Sequence, residues 1–172
     1  MIPAASRAAA ALLLLYIMRQ RVHLVLTRRA GTLGQHSGQI SLPGGAVDGN
    51  ETVEATALRE AGEEIGLDPA DLRIVGRLSA LYIPVSNFAL HPVMAVSDRR
   101  PVLVPATAEV AHILEIPLDE LRDPGRLRHG RRWQGDEAIS VPYFELHGER
   151  VWGATAMVLG ELIQLLRSHP GD

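Results

Sequence analysis

Residues 8–18 form an eleven-residue apolar run, Ala-Ala-Ala-Ala-Leu-Leu-Leu-Leu-Tyr-Ile-Met, bounded by Arg7 and Arg19. Nothing else in the chain limits the fold as strongly, because a segment of that composition leaves water for the interior of something. It is too short for a transmembrane helix, which needs about 20 apolar residues. It has the length of a signal-peptide core with a basic residue before it. However, residues 22–27 follow with strand-like alternation instead of a small-residue cleavage site and a polar start. The run is therefore read as a buried strand over residues 8–17, with a second strand over residues 21–27 and no membrane partner.

At 172 residues the chain suits one domain with one core, and 47% hydrophobic against 22% charged residues excludes disordered and low-complexity classes. There is no cysteine, which removes disulfides, thiolate zinc sites and cysteine nucleophiles. A cytoplasmic location is the expectation. There is also no lysine, so all 17 basic residues are arginine and neither a Schiff base nor a Walker-type lysine is available. A net charge of −3 is a poor footprint for nucleic acid, and the expected partner is a small molecule. Arg126, Arg128, Arg131 and Arg132 are read as part of a solvated, mobile loop over residues 122–132.

A Gly-rich loop covers residues 31–49, with a short strand at 39–42. The helix after it, residues 52–65, has Thr52 as N-cap, Glu54 in its first turn and Gly66 at the left-handed C′ position. Strands follow at 73–82 and 88–97, then a helical turn at 118–121 and a hairpin over 141–152 turning at His147-Gly148. A last helix carries Val158, Leu159, Leu162, Ile163, Leu165 and Leu166 at helical period and stops at Pro170. The order of elements gives an α/β chain, one domain over residues 1–172, with a mixed sheet and helices on both faces.

The helix at 52–65 carries the chemistry. At 100° per residue Ala57, Leu58, Ala61 and Ile65 share one quadrant, while Glu60, Glu63 and Glu64 share the neighbouring arc. That arc opposes local stability: Glu60 and Glu64 are like charges at i,i+4, and Glu63 and Glu64 lie where the helix dipole disfavours anions. An acidic cluster is ordinarily a solvated face. Here Pro43, Gly44 and Gly45 stand just upstream, where a turn without side chains lets a backbone carbonyl approach the same point. A hard divalent cation, Mg²⁺ or Mn²⁺, is the economical ligand for carboxylates plus carbonyl plus water.

Gly45, five residues, Glu51, seven residues, and then Arg59-Glu60-Ala61-Gly62-Glu63-Glu64-Ile65-Gly66-Leu67 resembles the Nudix box, with Ala61 where a bulkier aliphatic residue is usual. The resemblance implies the Nudix fold, a mixed β-sheet sandwiched between helices (α/β/α), and a metal-dependent pyrophosphohydrolase acting on a nucleoside diphosphate linked to another group. It assigns Glu60, Glu63 and Glu64 with the Gly45 carbonyl to the metal, Arg59 to orienting the glutamates, and Glu51 to supporting the loop. The proton acceptor is left between Glu60 and an acid on a later loop such as Asp136 or Glu137.

A second pattern precedes the box: Leu26-Thr27-Arg28-Arg29-Ala30, His36-Ser37-Gly38-Gln39 and Leu42-Pro43-Gly44-Gly45. It is similar to the signature of coenzyme A pyrophosphatases, departing at Gly34, where that signature has arginine, and at Leu42, where it has phenylalanine. Ser86-Asn87-Phe88 and Trp152-Gly153-Ala154-Thr155-Ala156 resemble two further fragments of that subfamily, with Asn87 suited to a left-handed turn. The resemblance implies cleavage of coenzyme A or its derivatives to a phosphopantetheine fragment and adenosine 3′,5′-bisphosphate. It makes Arg28, Arg29, His36, Gly38 and Gln39 substrate-binding residues, the two arginines being suited to a phosphate through the guanidinium fork. The alternatives are another nucleoside diphosphate (ADP-ribose, a dinucleotide, a nucleoside triphosphate), or a Nudix-fold module that binds a nucleotide without cutting it. A homodimer is left open.

Overall fold

In the computed structural model residues 2–31 and 38–168 are described, with backbone alone at 71 and 132–134. Strand β1 (Arg7–Met18) is the axis of the molecule. It pairs antiparallel with β2 (Arg21–Arg29) and β4 (Gly44–Ala46), and parallel with β7 (Phe88–Ser97) over ten residue pairs. The sheet is therefore mixed, in the order β3-β2-β1-β7-β5, with β3 at Ile40–Ser41 and β5 at Arg73–Arg77. β6 (Leu81–Ile83) joins β7, and β8 (Val110–Pro117) joins β2.

The pleat of β1 explains its unbroken apolar sequence. Successive side chains point to opposite faces, and here both faces are buried. Ala10, Leu12, Leu14 and Tyr16 meet Ala57, Ala61 and Ile65 of helix α1 (Val53–Ile65). Ala11 and Leu13 face the other way, toward Val158, Leu159, Leu162 and Ile163 of α3 (Gly153–Ser168). Helices thus cover both faces, as the order of elements predicts. The short α2 (Leu118–Arg122) buries Leu121 in the α3 layer. Among the described residues no helix is long and apolar enough to cross a membrane.

Three expectations need correction. Residues 73–82 are two strands, β5 and β6, interrupted at residues 78–80 beside Pro92 of β7, which has no N–H to complete the ladder; a register slip at Gly76 (φ +155°) lies within β5. β8 was not foreseen. It begins directly after a segment containing Pro101 and Pro105, and its alternation of buried Leu114 and Ile116 with half-buried neighbours is short. The supposed loop at 122–132 is instead a 3₁₀ turn at Pro124–Arg126 leading into β9 (Leu127–Gln134). β9 pairs with β10 (Glu137–Leu146), which pairs with β11 (Glu149–Trp152), and these three form a separate sheet. The hairpin turn at His147-Gly148 falls where expected, with both residues at positive φ. The inner face of that sheet, Phe144, Leu146 and Val151, is buried against α3. The stop at Pro170 lies outside the described residues.

Candidate functional site

Helix α1 begins where the sequence marks it: the Thr52 hydroxyl accepts from the Ala55 N–H at 3.2 Å, leaving the following turn regular. Gly66 closes it in the left-handed conformation (φ 63°), its N–H donating to the Gly62 carbonyl at 3.0 Å. The fully buried Ala57, Ala61 and Ile65 fix the helix on β1, so its acidic arc is turned toward β4.

Arg59 organises that arc. Its guanidinium donates to both oxygens of Glu51 (2.9 and 3.1 Å), to Glu60 Oε1 (2.8 Å), to both oxygens of Glu63 (3.3 Å each) and to the Ala46 carbonyl (3.3 Å). Glu51 also accepts from the Thr56 hydroxyl at 2.9 Å. Hydrogen bonds from Arg59 and then Thr56 hold the Glu51 carboxyl below the usual range. One cation therefore ties the loop before α1 to two carboxylates on it.

Glu64 is different. It is 9% exposed, and burial first, then repulsion from Glu60, pushes its carboxyl up to about 7. Arg29, the Gly44 N–H and Glu109 also act on it; the first two favour the anion and Glu109 opposes it.

The two glycines do separate jobs. A side chain at Gly44 would collide with β1, its Cβ standing 2.6 Å from Ala11 Cα, so Gly44 is what lets β4 pair closely. A Cβ at Gly45 would stand 2.5 Å from the Glu60 carboxylate carbon, so Gly45 makes room for that carboxylate. This differs from the simpler expectation that both glycines only clear the way for a carbonyl.

On the α3 side of β4 lies a cleft of about 250 Å³, lined among others by Arg29, Leu42, Gly44, Gly45, Phe88, Ala154 and Thr155. None of the three α1 glutamates lines it; Gly44 and Gly45 separate cleft from carboxylates, and Arg29 belongs to both sides. Asn87 is left-handed as its sequence suggests (φ 53°), and delivers Phe88 to the cleft wall. Arg28 points elsewhere and pairs with Glu149 at 2.9 Å. Gly38 (φ 73°) donates its N–H to the Arg29 carbonyl, and the Gln39 carbonyl accepts from Arg29 N–H, so both brace the end of β2. His36 and Gly34 lie outside the described residues.

A family model described as NUDIX domain matches residues 6–135. The chain belongs to the NUDIX family. It is 33% identical over 166 residues to an uncharacterized Nudix hydrolase NudL of Citrobacter koseri, covering 96% of this chain and 86% of that one. It is also 32% identical over 146 residues to Nudix hydrolase 15, mitochondrial, of Arabidopsis thaliana, covering 80% of this chain and 50% of that one. The fold superimposes on a Nudix hydrolase from M. smegmatis, RenU, with a TM-score of 0.68 at 22% identity over 97% of this chain and 89% of that one. As a NUDIX chain of this kind it is a pyrophosphohydrolase. Enzymes of the family generally use divalent cations such as Mg²⁺ or Mn²⁺.

The donor set of this NUDIX chain, three carboxylates beside a glycine with no side chain, has the hard-oxygen chemistry of such a cation. Among the described residues, however, no three acidic or histidine side chains converge on one metal-sized point, because Arg59 holds Glu60 and Glu63 while Glu64 is turned to the Gly44 N–H.

Sequence reasoning missed Glu109. It precedes β8, and its carbonyl accepts from the Ala30 N–H at 2.9 Å. Its segment is held to the end of α1 by the Val104 and Ala106 N–H groups, which donate to the Ile65 and Glu64 carbonyls at 2.8 Å each. These bonds bring Glu109 under the field of Glu64. Asp136 and Glu137 instead sit at the tip of the β9–β10 hairpin, and neither lines the cleft. An acid just before a strand was the only available signal.

Proposed function

We propose that this enzyme hydrolyses the diphosphate of coenzyme A or its derivatives, giving a 4′-phosphopantetheine fragment and adenosine 3′,5′-bisphosphate. The observation that carries this reading is convergence. Fragments similar to the coenzyme A pyrophosphatases lie far apart in sequence, at residues 26–45, 86–88 and 152–156, yet Arg29, Leu42, Phe88, Ala154 and Thr155 line one cleft. That cleft ends on the Gly44–Gly45 ridge, with the α1 carboxylates beyond it.

Glu60, Glu63 and Glu64, with the Gly45 carbonyl, would hold Mg²⁺ or Mn²⁺. When bound, such an ion offsets phosphoryl charge and acidifies water. Arg59 positions the glutamates, since it reaches Glu60 and Glu63 from a site braced by Glu51. Arg29, at the junction of cleft and carboxylates, takes a non-bridging phosphate oxygen through a charge-assisted bond. The proton from attacking water goes to Glu60 or Glu109, the two carboxylates whose charge acts on Glu64. Arg28, tied to Glu149, stabilises the rim. The unit is a single domain over residues 1–172.

The test is a panel of kcat/KM values over coenzyme A, 3′-dephospho-coenzyme A, ADP-ribose, NADH and nucleoside triphosphates with Mg²⁺ and Mn²⁺. Coenzyme A is expected to lead, with about tenfold or more over the 3′-dephospho compound, the worth of one charge-assisted bond. A clear preference for ADP-ribose overturns the substrate and leaves the pyrophosphohydrolase standing.

A further inference from the structure

The outer face of the β9–β11 sheet is unlike the rest of the surface. By the pleat, burial of Phe144, Leu146 and Val151 turns Tyr143, Arg150 and Trp152 outward. There they line a pocket of about 350 Å³ with Gly130, Arg131 and Val141, a volume within the range of small-molecule sites. Tyr143 and Trp152 are direct cross-strand partners, which places two aromatic rings side by side on one face. The Arg150 guanidinium lies over the Tyr143 ring, 5.1 Å from its centre. Among the described residues neither Arg150 nor Arg131 has a carboxylate within ion-pair distance, whereas Arg128 on the same sheet is paired with Glu145. Gly130 opens the pocket: a Cβ there would stand 3.3 Å from the Tyr143 ring edge.

Flat aromatic surface beside an unpaired guanidinium is the chemistry that takes a planar ring carrying an anion. The ring stacks on aromatic side chains, and the anion takes the fork of donors. The second apolar groove, between α3 and β10, is lined by Leu127, Phe144 and Met157 and offers no charge. Position narrows the ligand further. Trp152 lines this pocket, while Ala154 and Thr155, two and three residues on, line the cleft beside Arg29. The backbones of Trp152 and Ala154 therefore lie within about 7 Å of each other, so pocket and cleft open from one short stretch of chain.

We infer that this pocket binds the adenosine end of the substrate, with Trp152 and Tyr143 against the purine and Arg150, aided by Arg131 at the rim, on the ribose phosphate. The inference rests on the coenzyme A reading for which nucleotide it is. It leaves Arg29 for the diphosphate.

The experiment is a fluorescence titration of a Trp133→Phe protein, in which Trp152 is the sole tryptophan, with adenosine 3′,5′-bisphosphate, a product that cannot be turned over. Saturable quenching is expected. Arg150→Ala should weaken it about tenfold or more. Gly130→Val, which fills the pocket while keeping a good strand residue, should abolish it with the circular dichroism unchanged. Adenosine without phosphate should bind no better than the Arg150→Ala variant binds the bisphosphate. Absence of quenching, or quenching undiminished in both Arg150→Ala and Gly130→Val, overturns the pocket. Cleavage of coenzyme A is measured in parallel to separate the two proposals. If coenzyme A is cleaved without bisphosphate quenching, only the pocket falls. If quenching occurs without coenzyme A cleavage, the pocket stands and the substrate reading falls.

Discussion

The corner where α1 meets β4 and the outer face of the three-stranded sheet both depend on arginine, and they use it in opposite ways. Arg59 is saturated by carboxylates from Glu51, Glu60 and Glu63, so its charge is consumed inside the protein. Arg150 rests on a tyrosine ring and keeps its donors for something else. The first arrangement holds mutually repelling anions together around one guanidinium. The second costs the fold little and offers an anion site. Substitutions at the corner should therefore reach catalysis and stability together, while those on the sheet face should change substrate affinity alone.

The largest expected effect is at Glu64. Glu64→Gln should lower kcat by on the order of a hundredfold or more with the fold intact, since it removes a proposed cation ligand and keeps the side chain's volume. Steady-state rates with circular dichroism check this; wild-type turnover in excess EDTA would remove the cation from the mechanism. On the sheet, Arg150→Ala should instead raise KM and spare kcat.

The same residue controls stability. In metal-free protein the folded-state pKa of Glu64 is pushed up to about 7 from an unfolded 4.5. Between those values the folded state binds the extra proton, so stability falls as pH rises from 4.5 to 7, by roughly 3 kcal/mol in all. Thermal melts in EDTA should show the loss in wild type and not in Glu64→Gln. A flat wild-type profile would mean that Glu64 is hydrated in solution.

The two adjacent glycines divide the corner more finely. Gly44→Ala should cost about 1–3 kcal/mol, because its Cβ meets the backbone of β1 and cannot be accommodated by a rotamer change. Gly45→Ala meets only the Glu60 side chain, which can rotate, so its melting temperature should move less while kcat falls at least tenfold. Equal loss of stability in both would place them in one structural role. The smallest effect is at the rim: Arg28→Ala breaks a half-exposed pair with Glu149 and should shift stability by less than about 1 kcal/mol.

Legibility in the sequence follows the same division. α1, its Thr52 and Gly66 caps and the facing of Ala57, Ala61 and Ile65 are local, fixed by spacings of three and four residues, and they were readable. The burial of β1 was readable too, because two covered faces leave no polar position in the run. β9 was not. Its Leu-Arg-His-Gly-Arg-Arg-Trp-Gln carries no apolar alternation, and it is a strand only because β10 supplies its partners from across a turn. Glu109 was hidden for a related reason: the hydrogen bonds from Val104 and Ala106 to the end of α1 connect residues about 40 apart in sequence. The burial of Glu64, unlike its place on the acidic arc, likewise depends on tertiary contacts.

Whether the α1 carboxylates take the cation is decided by titrating Mn²⁺ into wild type and Glu64→Gln, followed by electron paramagnetic resonance at pH 6 to 8. Binding that tightens as pH rises through about 7 in wild type, and is at least tenfold weaker in the variant, is the expected result. Equal affinity in the two proteins, with the same pH dependence, would place the cation away from Glu64 and contradict the assignment of the acidic arc.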